Sequence, residues 1–185
     1  MPKRTDIKSI LIIGAGPIGL AALLTAQFYS PATIIMVDID DKRLVMARRL
    51  GASETINSSL GNAVECIKEL TGGFGVDTAI EAVGIPATFE LCQNVVAPGG
   101  IIANVGVHGK MVDLHLETLW DRNISITTRL VDTVSTPMLL NIVEAHKIDP
   151  KQLITHHFTL DHILDAYETF AHAADTGALK VIIEA

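Results

Sequence analysis

The sequence of 185 residues is poor in cysteine, in aromatic residues and in positive charge. The two cysteines, Cys66 and Cys92, form neither a disulfide framework nor a metal-binding spacing, which fits a protein of the reducing cytoplasm. Only 4% of the residues are aromatic, so aliphatic side chains must build the core, as in sheets whose strands are buried on both faces. The net charge of −7 argues against a nucleic-acid-binding surface, which needs a basic face.

Charged residues are also missing from one long stretch near the N-terminus. None lies between Ser9 and Val37, and three basic residues precede this stretch. That outline is typical of a signal peptide or a membrane anchor. However, the glycines and the proline of residues 14–19 would interrupt a spanning helix, and the pattern changes there from β-branched to helix-forming residues. A strand, a glycine turn and a helix are therefore the favoured interpretation, with membrane targeting as the alternative.

Short aliphatic runs and helical patterns alternate along the rest of the chain. Such alternation predicts parallel β-α-β units with right-handed crossovers. Six strands are predicted, within residues 9–13, 32–40, 53–57, 76–84, 101–107 and 124–132. The predicted fold class is therefore α/β, a doubly wound six-stranded parallel sheet of the Rossmann type in three layers (α/β/α). In such a sheet the ligand binds at the carboxyl ends of the strands.

Two regions are predicted from this order of elements. Residues 1–150 would form a nucleotide-binding domain that contains the complete sheet. Residues 151–185 would form a C-terminal extension made of a strand, a helix and a strand. Because the sixth strand already completes the sheet, we expect this extension to pack elsewhere.

Three glycines follow the first predicted strand in the spacing G-x-G-x-x-G. Gly14 would allow the tight turn, Gly16 would let the backbone approach a pyrophosphate, and Gly19 would let the helix pack on the sheet. Pro17 and Ile18 complete the same turn. The N-terminus of the helix would then stabilise the phosphate charge. A glycine-rich turn without a ligand is the alternative.

An acidic residue stands where a dinucleotide site needs one. Asp38 falls at the end of the second predicted strand, about twenty residues beyond the glycines. A carboxylate at this point accepts the ribose hydroxyls of an adenosine and repels a 2′-phosphate. The motif thus predicts NAD rather than NADP as the cofactor.

Longer runs of residues make the sequence similar to a known family. They cover nearly the whole chain in order: "GAGPIGLAALLTAQ", "VDIDDKRLVMARRLGA", "TGGFGVDTAIEAVG", "APGGIIANVGVHG", "LWDRNISITTRLVDT", "DPKQLITHHF" and "ALKVI". Through these runs the chain resembles the coenzyme-binding, C-terminal half of zinc-dependent medium-chain alcohol dehydrogenases. The resemblance implies an NAD-dependent oxidoreductase that converts alcohols to aldehydes or ketones.

The resemblance also implies roles for individual residues. They are Arg43 beside Asp38 at the adenosine ribose, Ala82 and Val83 at the adenine side, Val105, Gly106 and Val107 facing the nicotinamide, Leu130 and Val131 near its carboxamide, and Lys180 at the pyrophosphate. Alternatives remain for some of them. The apolar side chains at positions 82, 83 and 105 suit a protein core equally, and the lysine suits an exposed surface.

The zinc ligands of that family lie in a separate catalytic domain, mostly N-terminal to this half. Nothing in this sequence matches them, so no catalytic or metal-binding residue is assigned, and the chain alone is predicted to be inactive. His156 and His157 are neighbours in an extended segment and point to opposite faces, which disfavours a shared metal with the nearby His162. His108 lies nearer the predicted cofactor and is interpreted as a loop histidine or, secondarily, as a ligand contact.

The first eighteen residues resemble a different family. The run from Met1 to Ile18, "MPKRTDIKSILIIGAGPI", is similar to the N-terminus of the carbamoyl-phosphate synthetase large subunit. Both families share "GAGPI", so we predict a chimera joined at this turn, and an engineered one. The alternative is a natural truncated dehydrogenase whose N-terminus matches by coincidence.

In the resembled family the coenzyme domains pair through the sixth strand. Here that strand would lie between Asn123 and Asp132, and an uncovered edge strand is a template for pairing, so a homodimer is predicted. No nucleic-acid or membrane partner is expected.

Two other functions stay open. A self-sufficient reductase of the short-chain class needs Tyr-x-x-x-Lys, but Tyr29 and Tyr167 are followed four residues later by Thr33 and Ala171. The other is a truncated or engineered fold whose nucleotide binding is weak or lost.

Overall fold

The computed structural model describes residues 9–130 and 134–185, and the chain divides between residues 131 and 132 into two compact units. The elements of the first unit are β1 (Ser9–Ile13), α1 (Pro17–Ala26), β2 (Thr33–Asp38), α2 (Asp41–Arg49), β3 (Glu54–Asn57), α3 (Ala63–Leu70), β4 (Val76–Glu81), α4 (Pro86–Val95), β5 (Val96–Asn104), α5 (Leu116–Leu119) and β6 (Ser125–Thr128). Those of the second are α6 (Thr136–Glu144), β7 (Ile154–Thr159), α7 (Ile163–Ala171), α8 (Ala173–Thr176) and β8 (Lys180–Glu184).

The first unit is built on one six-stranded sheet. Its strand order is β3-β2-β1-β4-β5-β6, and each neighbouring pair is parallel. Helices α1 to α4 pack against the strands. The order reverses between β1 and β4, which is the point where doubly wound sheets bind their ligands. The predicted Rossmann-type α/β fold is confirmed.

The charge-free stretch of the sequence forms the centre of this sheet. Leu11 and Ile12 of β1, and Ile35 and Met36 of β2, are fully buried. Both strands are central in the sheet, and the crossover helices of a parallel sheet cover its two faces, so aliphatic residues are needed on both sides. The stretch is therefore a strand, a helix and a second strand. Among the described residues, no helix has the length and apolar character to cross a membrane.

The fifth strand begins earlier than the sequence predicts. The fifth strand is predicted within residues 101–107, yet β5 begins at Val96, directly after α4, and runs through the segment "APGG". Val96 pairs with Val76, and the register then shifts before Thr78 pairs with Ile101. Gly99 has a φ of +77° at this irregularity. A bulge that uses glycine thus lets a turn-like sequence lie inside a strand.

The second unit has its own sheet. Strands β7 and β8 pair in parallel, and α7 packs against both. The extended run, helix and final strand expected in the tail are therefore present. The domain limits of 1–150 and 151–185 stay a prediction.

Candidate functional site

The turn after β1 is formed by a glycine that no other residue can replace without strain. Gly14 has a φ of +101°, in the left-handed region that favours glycine. Its N–H donates to the carbonyl of Val37 at 2.7 Å, which ties the turn to the end of β2. A Cβ at this position would lie 2.7 Å from Cγ2 of Val83 and 3.2 Å from the carbonyl oxygen of Ala82. The turn is therefore packed against both β2 and the residues that follow β4.

The other two glycines of the motif face opposite environments. A Cβ on Gly19 would collide with the carbonyl oxygen of Gly14, so the helix sits directly against the turn. By contrast, no described atom lies within 4 Å of a Cβ placed on Gly16. Gly16 is the N-cap of α1, Pro17 follows it, and the first turn of α1 has no side-chain cap among the described residues. Among the described residues no acceptor pairs with the N–H groups of Ile18 and Gly19, so this helix end offers space and partial positive charge for a phosphate.

The carboxylate of Asp38 is held beside this turn. Only 8% of the residue is exposed. Its Oδ2 accepts the N–H of Ala15 at 2.6 Å, and its Oδ1 accepts the N–H of Asp40 at 2.9 Å. Both oxygens keep further lone pairs that can accept hydroxyl donors. The predicted ribose acceptor is thus oriented by the same turn that exposes the helix N-terminus.

Arg43 forms its ion pair with a carboxylate other than that of Asp38. Its Nε is 3.9 Å from Oδ2 of Asp40, and its side chain is 31% exposed. Asp40 is also the N-cap of α2 and accepts the N–H of Lys42. In the described residues Arg43 therefore forms its ion pair with Asp40.

The residues predicted at the adenine and nicotinamide sides follow β4 and β5. The N–H of Ala82 donates to the carbonyl of Ile13 at 3.0 Å. Val83, Val105 and Val107 are 43%, 37% and 79% exposed, so they form an apolar surface at this edge rather than a core. Gly106 lies between the last two.

The remaining predicted positions lie after β6 and in the second unit. Leu130 follows β6 and is 81% exposed. Val131 lies outside the described residues. Lys180 is the first residue of β8 in the second unit, where its side chain is exposed. The structure thus brings together at the carboxyl edge of the sheet the glycine turn, Asp38 and the residues after β4 and β5.

Of three polar residues at this edge, Glu81 and Asn104 were not assigned to the site from the sequence, and His108 was interpreted only secondarily as a ligand contact. Glu81 ends β4 with 0% exposure, Asn104 ends β5, and the side chain of His108 is 15% exposed. The sequence signal was an acidic residue at the end of an aliphatic strand, in "AIEAVG". Burial, helped by the charge of Glu81, raises the pKa of the Cys92 thiol in the adjacent helix α4. Within residues 9–130 and 134–185, no group of three His, Cys, Asp or Glu is placed to hold a metal.

Comparison with known proteins gives one family and several relatives. A family model for zinc-binding dehydrogenases matches residues 17–144. An alcohol dehydrogenase of Cupriavidus necator is 36% identical over 180 residues, which cover 95% of this chain and 49% of that protein. The chain thus spans about half the length of the curated relatives it matches.

Solved structures agree with the family match. The zinc dependent alcohol dehydrogenase 2 from Streptococcus pneumonia, in its apo form, superposes with a TM-score of 0.93 at 56% identity, covering 97% of this chain and 52% of that one. A structure described as a short chain alcohol dehydrogenase from Escherichia coli CFT073, complexed with NADH, superposes with a TM-score of 0.89 at 25% identity, covering 97% of this chain and 52% of that one.

Proposed function

Since this chain belongs to the zinc-binding dehydrogenase family, we propose that it binds NAD and is the coenzyme-binding part of an alcohol dehydrogenase. The observation that supports the proposal is the position of the Asp38 carboxylate. It accepts the N–H of Ala15 directly before the N-terminus of α1, where Gly16 leaves open space. When bound, NAD accepts the hydride that an alcohol gives up as it becomes an aldehyde or ketone. The cofactor site consists of the residues predicted above from the sequence.

The adenosine, the pyrophosphate and the nicotinamide half of NAD would lie one after another along the carboxyl edge of the sheet. Asp38 accepts the hydroxyls of the adenosine ribose at the end of β2. The N-terminus of α1 receives the pyrophosphate, and the space beside Gly16 lets it approach the backbone. The nicotinamide half then crosses the switch point to the ends of β4 and β5. Lys180 and Arg43 are proposed to add positive charge at the pyrophosphate and the ribose.

Asp38 also supports the preference for NAD over NADP. Its carboxylate is almost fully buried and fixed by two backbone donors, so it cannot swing away from an added phosphate. The 2′-phosphate of NADP would lie against this negative charge in a weakly screened position. We expect NADP to bind roughly tenfold more weakly than NAD or worse.

Isothermal titration of the purified chain with NAD, NADP and ADP-ribose tests the site. Binding of NAD and ADP-ribose with weaker binding of NADP supports the proposal. Failure of both NAD and ADP-ribose to bind would refute the cofactor site. Equal affinity for NAD and NADP would refute the role given to Asp38.

We propose that this chain alone does not oxidise alcohols. It spans about half of the relatives that it matches, and in this family the alcohol oxygen would be polarised by zinc acting as a Lewis acid. An assay of NADH formation with a panel of primary and secondary alcohols, with zinc added, checks this. Turnover proportional to the chain concentration would contradict it and would favour a self-sufficient reductase.

A homodimer through β6 is a further part of the proposal. All four residues of β6 are exposed, and the strand pairs only with β5 among the described strands. Light scattering after size-exclusion chromatography should give twice the chain mass. Ile126→Lys places a charge on the strand and should give the monomer. Val45→Lys, on an exposed position of α2, is the matched control and should leave the dimer intact. A monomeric wild type would contradict the proposal.

A fusion near Ile18 and a cytoplasmic location stay proposals. The two described thiols are free, which suits a reducing compartment. For the fusion, the support is the similarity of the first eighteen residues to another family. The solved structure with 56% identity covers 97% of this chain, which favours the alternative of one continuous dehydrogenase segment. A chromosomal reading frame that runs uninterrupted through the codon for Ile18 would contradict an engineered origin.

A further inference from the structure

We propose that Glu81, Asn104 and His108 form a brace that fixes the backbone of residues 105–107, and that His108 thereby positions the nicotinamide ring. This inference rests on the proposed NAD site. Because Asp38 places the adenosine at the end of β2, the second nucleotide half must extend over the ends of β4 and β5. The brace lies at these two strand ends.

The carboxylate of Glu81 is the sealed centre of the brace. The residue is 0% exposed. Its Oε1 accepts the N–H groups of Val83 and Gly84, each at 2.9 Å, and the hydroxyl of Thr88 at 2.7 Å. The side chain therefore holds the loop after β4 in place through one oxygen. The other oxygen faces the loop after β5.

The peptide groups of Gly106 are held from both sides. Its N–H donates to the carbonyl of Glu81 at 3.0 Å, and its carbonyl accepts Nδ2 of Asn104 at 3.0 Å. Because Nδ2 of Asn104 is used in this way, its Oδ1 faces His108 and accepts Nε2–H at 2.8 Å. The same Nε2 lies 3.3 Å from Oε2 of Glu81. Glu81, Gly106, Asn104 and His108 thus form a closed ring of contacts.

The loop after β5 is closely packed against the loop after β4. A Cβ on Gly106 would collide with Oε2 of Glu81 and with the backbone of Gly84. Gly84, at a φ of +89°, is in turn packed against the carbonyl of Val107. The flanking Val105 and Val107 side chains are consequently turned toward solvent at the candidate cofactor surface, with 37% and 79% exposure.

The brace is not explained by stability alone. Oε2 of Glu81 and Nδ1 of His108 are both buried, and neither has a hydrogen bond among the described residues. Buried polar atoms without a hydrogen bond destabilise a fold, whereas apolar side chains of the same size would not. His108 also packs edge-on against Phe89, with ring centroids 6.0 Å apart, so its orientation is fixed. Polar groups in this unfavourable setting fit a role in positioning a ligand.

Two ligands that differ only in the nicotinamide test the proposal. NADH and ADP-ribose share the adenosine and the pyrophosphate, but only NADH reaches residues 105–107. His108→Leu keeps a similar volume and removes the donor, so NADH affinity should fall about tenfold while ADP-ribose affinity stays unchanged. His108→Gln returns an N–H near the position of Nε2 and should restore most of the NADH affinity. The fluorescence of bound NADH should change only with the leucine variant.

The controls separate this inference from the proposed function. His115→Leu removes a histidine paired with a carboxylate, Glu117, on the surface, and both affinities should stay at the wild-type values. If His108→Leu does not fold, the NADH and ADP-ribose affinities are compared in Asn104→Ser instead. This variant loses the donor to the Gly106 carbonyl. A loss that is equal for both ligands, or no loss for either, would overturn the inference. A wild type that binds neither ligand would refute the cofactor site itself.

Discussion

The two halves of the sheet each end in an acidic residue, but they use it differently. On the β1–β3 side, Asp38 is fixed by two backbone donors and remains 8% exposed beside the open helix N-terminus. On the β4–β6 side, Glu81 is fixed by three donors and is fully buried beneath the loop after β5. A carboxylate that is fixed at a strand end by hydrogen-bond donors therefore serves two different roles. A carboxylate that keeps access to solvent can bind a ligand, whereas a sealed one can only shape the backbone around it.

The largest expected effect is the loss of folding stability on removal of the Glu81 carboxylate. Glu81→Ala leaves three donors without their acceptor and opens a cavity, so the free energy of unfolding should fall by about 3 kcal/mol or more. Urea denaturation followed by circular dichroism measures it. Glu117→Ala removes a carboxylate whose side chain is 68% exposed and should leave the stability close to that of the wild type. Similar stability losses in the two variants would mean that Glu81 does not hold the loop.

The same methyl group should have different effects at Gly19 and at Gly16. Gly19→Ala forces a methyl group into the Gly14 carbonyl and should destabilise the chain by about 2 kcal/mol. Gly16→Ala meets no described atom and has a φ of −79°, so stability should stay within about 0.5 kcal/mol of wild type. The same methyl would occupy the space needed by a pyrophosphate, so NAD affinity should fall about tenfold or more. Thermal unfolding and NAD titration of both variants check this, and a Gly16→Ala variant that binds NAD normally would contradict the phosphate position.

A change at Asp38 should affect the ligand more than the fold. Asp38→Asn keeps the shape but removes the charge and one of the two acceptors of backbone N–H groups, so NAD affinity should fall about tenfold because charge-assisted hydrogen bonds to the ribose are lost. The preference for NAD over NADP should shrink as well. Titration with both cofactors gives the two affinities. Asp41→Asn makes the same charge change on the surface of α2 and should leave them unaltered.

The sheet and part of the site were predictable from sequence because their signals are local. The aliphatic run of β1, the G-x-G-x-x-G spacing and the acid at the end of β2 all lie within about thirty residues. These signals indicated the first β-α-β unit and assigned Asp38 to the same site as the glycine turn. The start of β5 was not predictable, because the register shift depends on Val96 pairing with Val76 from another strand.

The brace could not be found from sequence for the same reason. Glu81 and His108 are 27 positions apart, and each alone is an unremarkable strand or loop residue. Only the pairing of β4 with β5 brings them to 3.3 Å. The alternative that Val83 and Val105 belong to the core was equally undecidable before their exposure was known. Whether such a side chain lies in the core or at the surface depends on which layers pack against it, and the local sequence pattern does not give that packing.

The smallest expected effect concerns Arg43. Its ion pair with Asp40 is long, at 3.9 Å, and partly exposed, so Arg43→Ala should change stability by no more than about 0.5 kcal/mol. NAD affinity should fall less than about threefold, because Asp38 already supplies the ribose acceptor and Arg43 must leave Asp40 to contribute. NADP should lose more, since a guanidinium is the available partner for a 2′-phosphate. Titration of both cofactors measures the two losses, with Arg49→Ala, in the last turn of α2, as the control. A tenfold loss of NAD affinity would transfer the main ribose contact from Asp38 to Arg43.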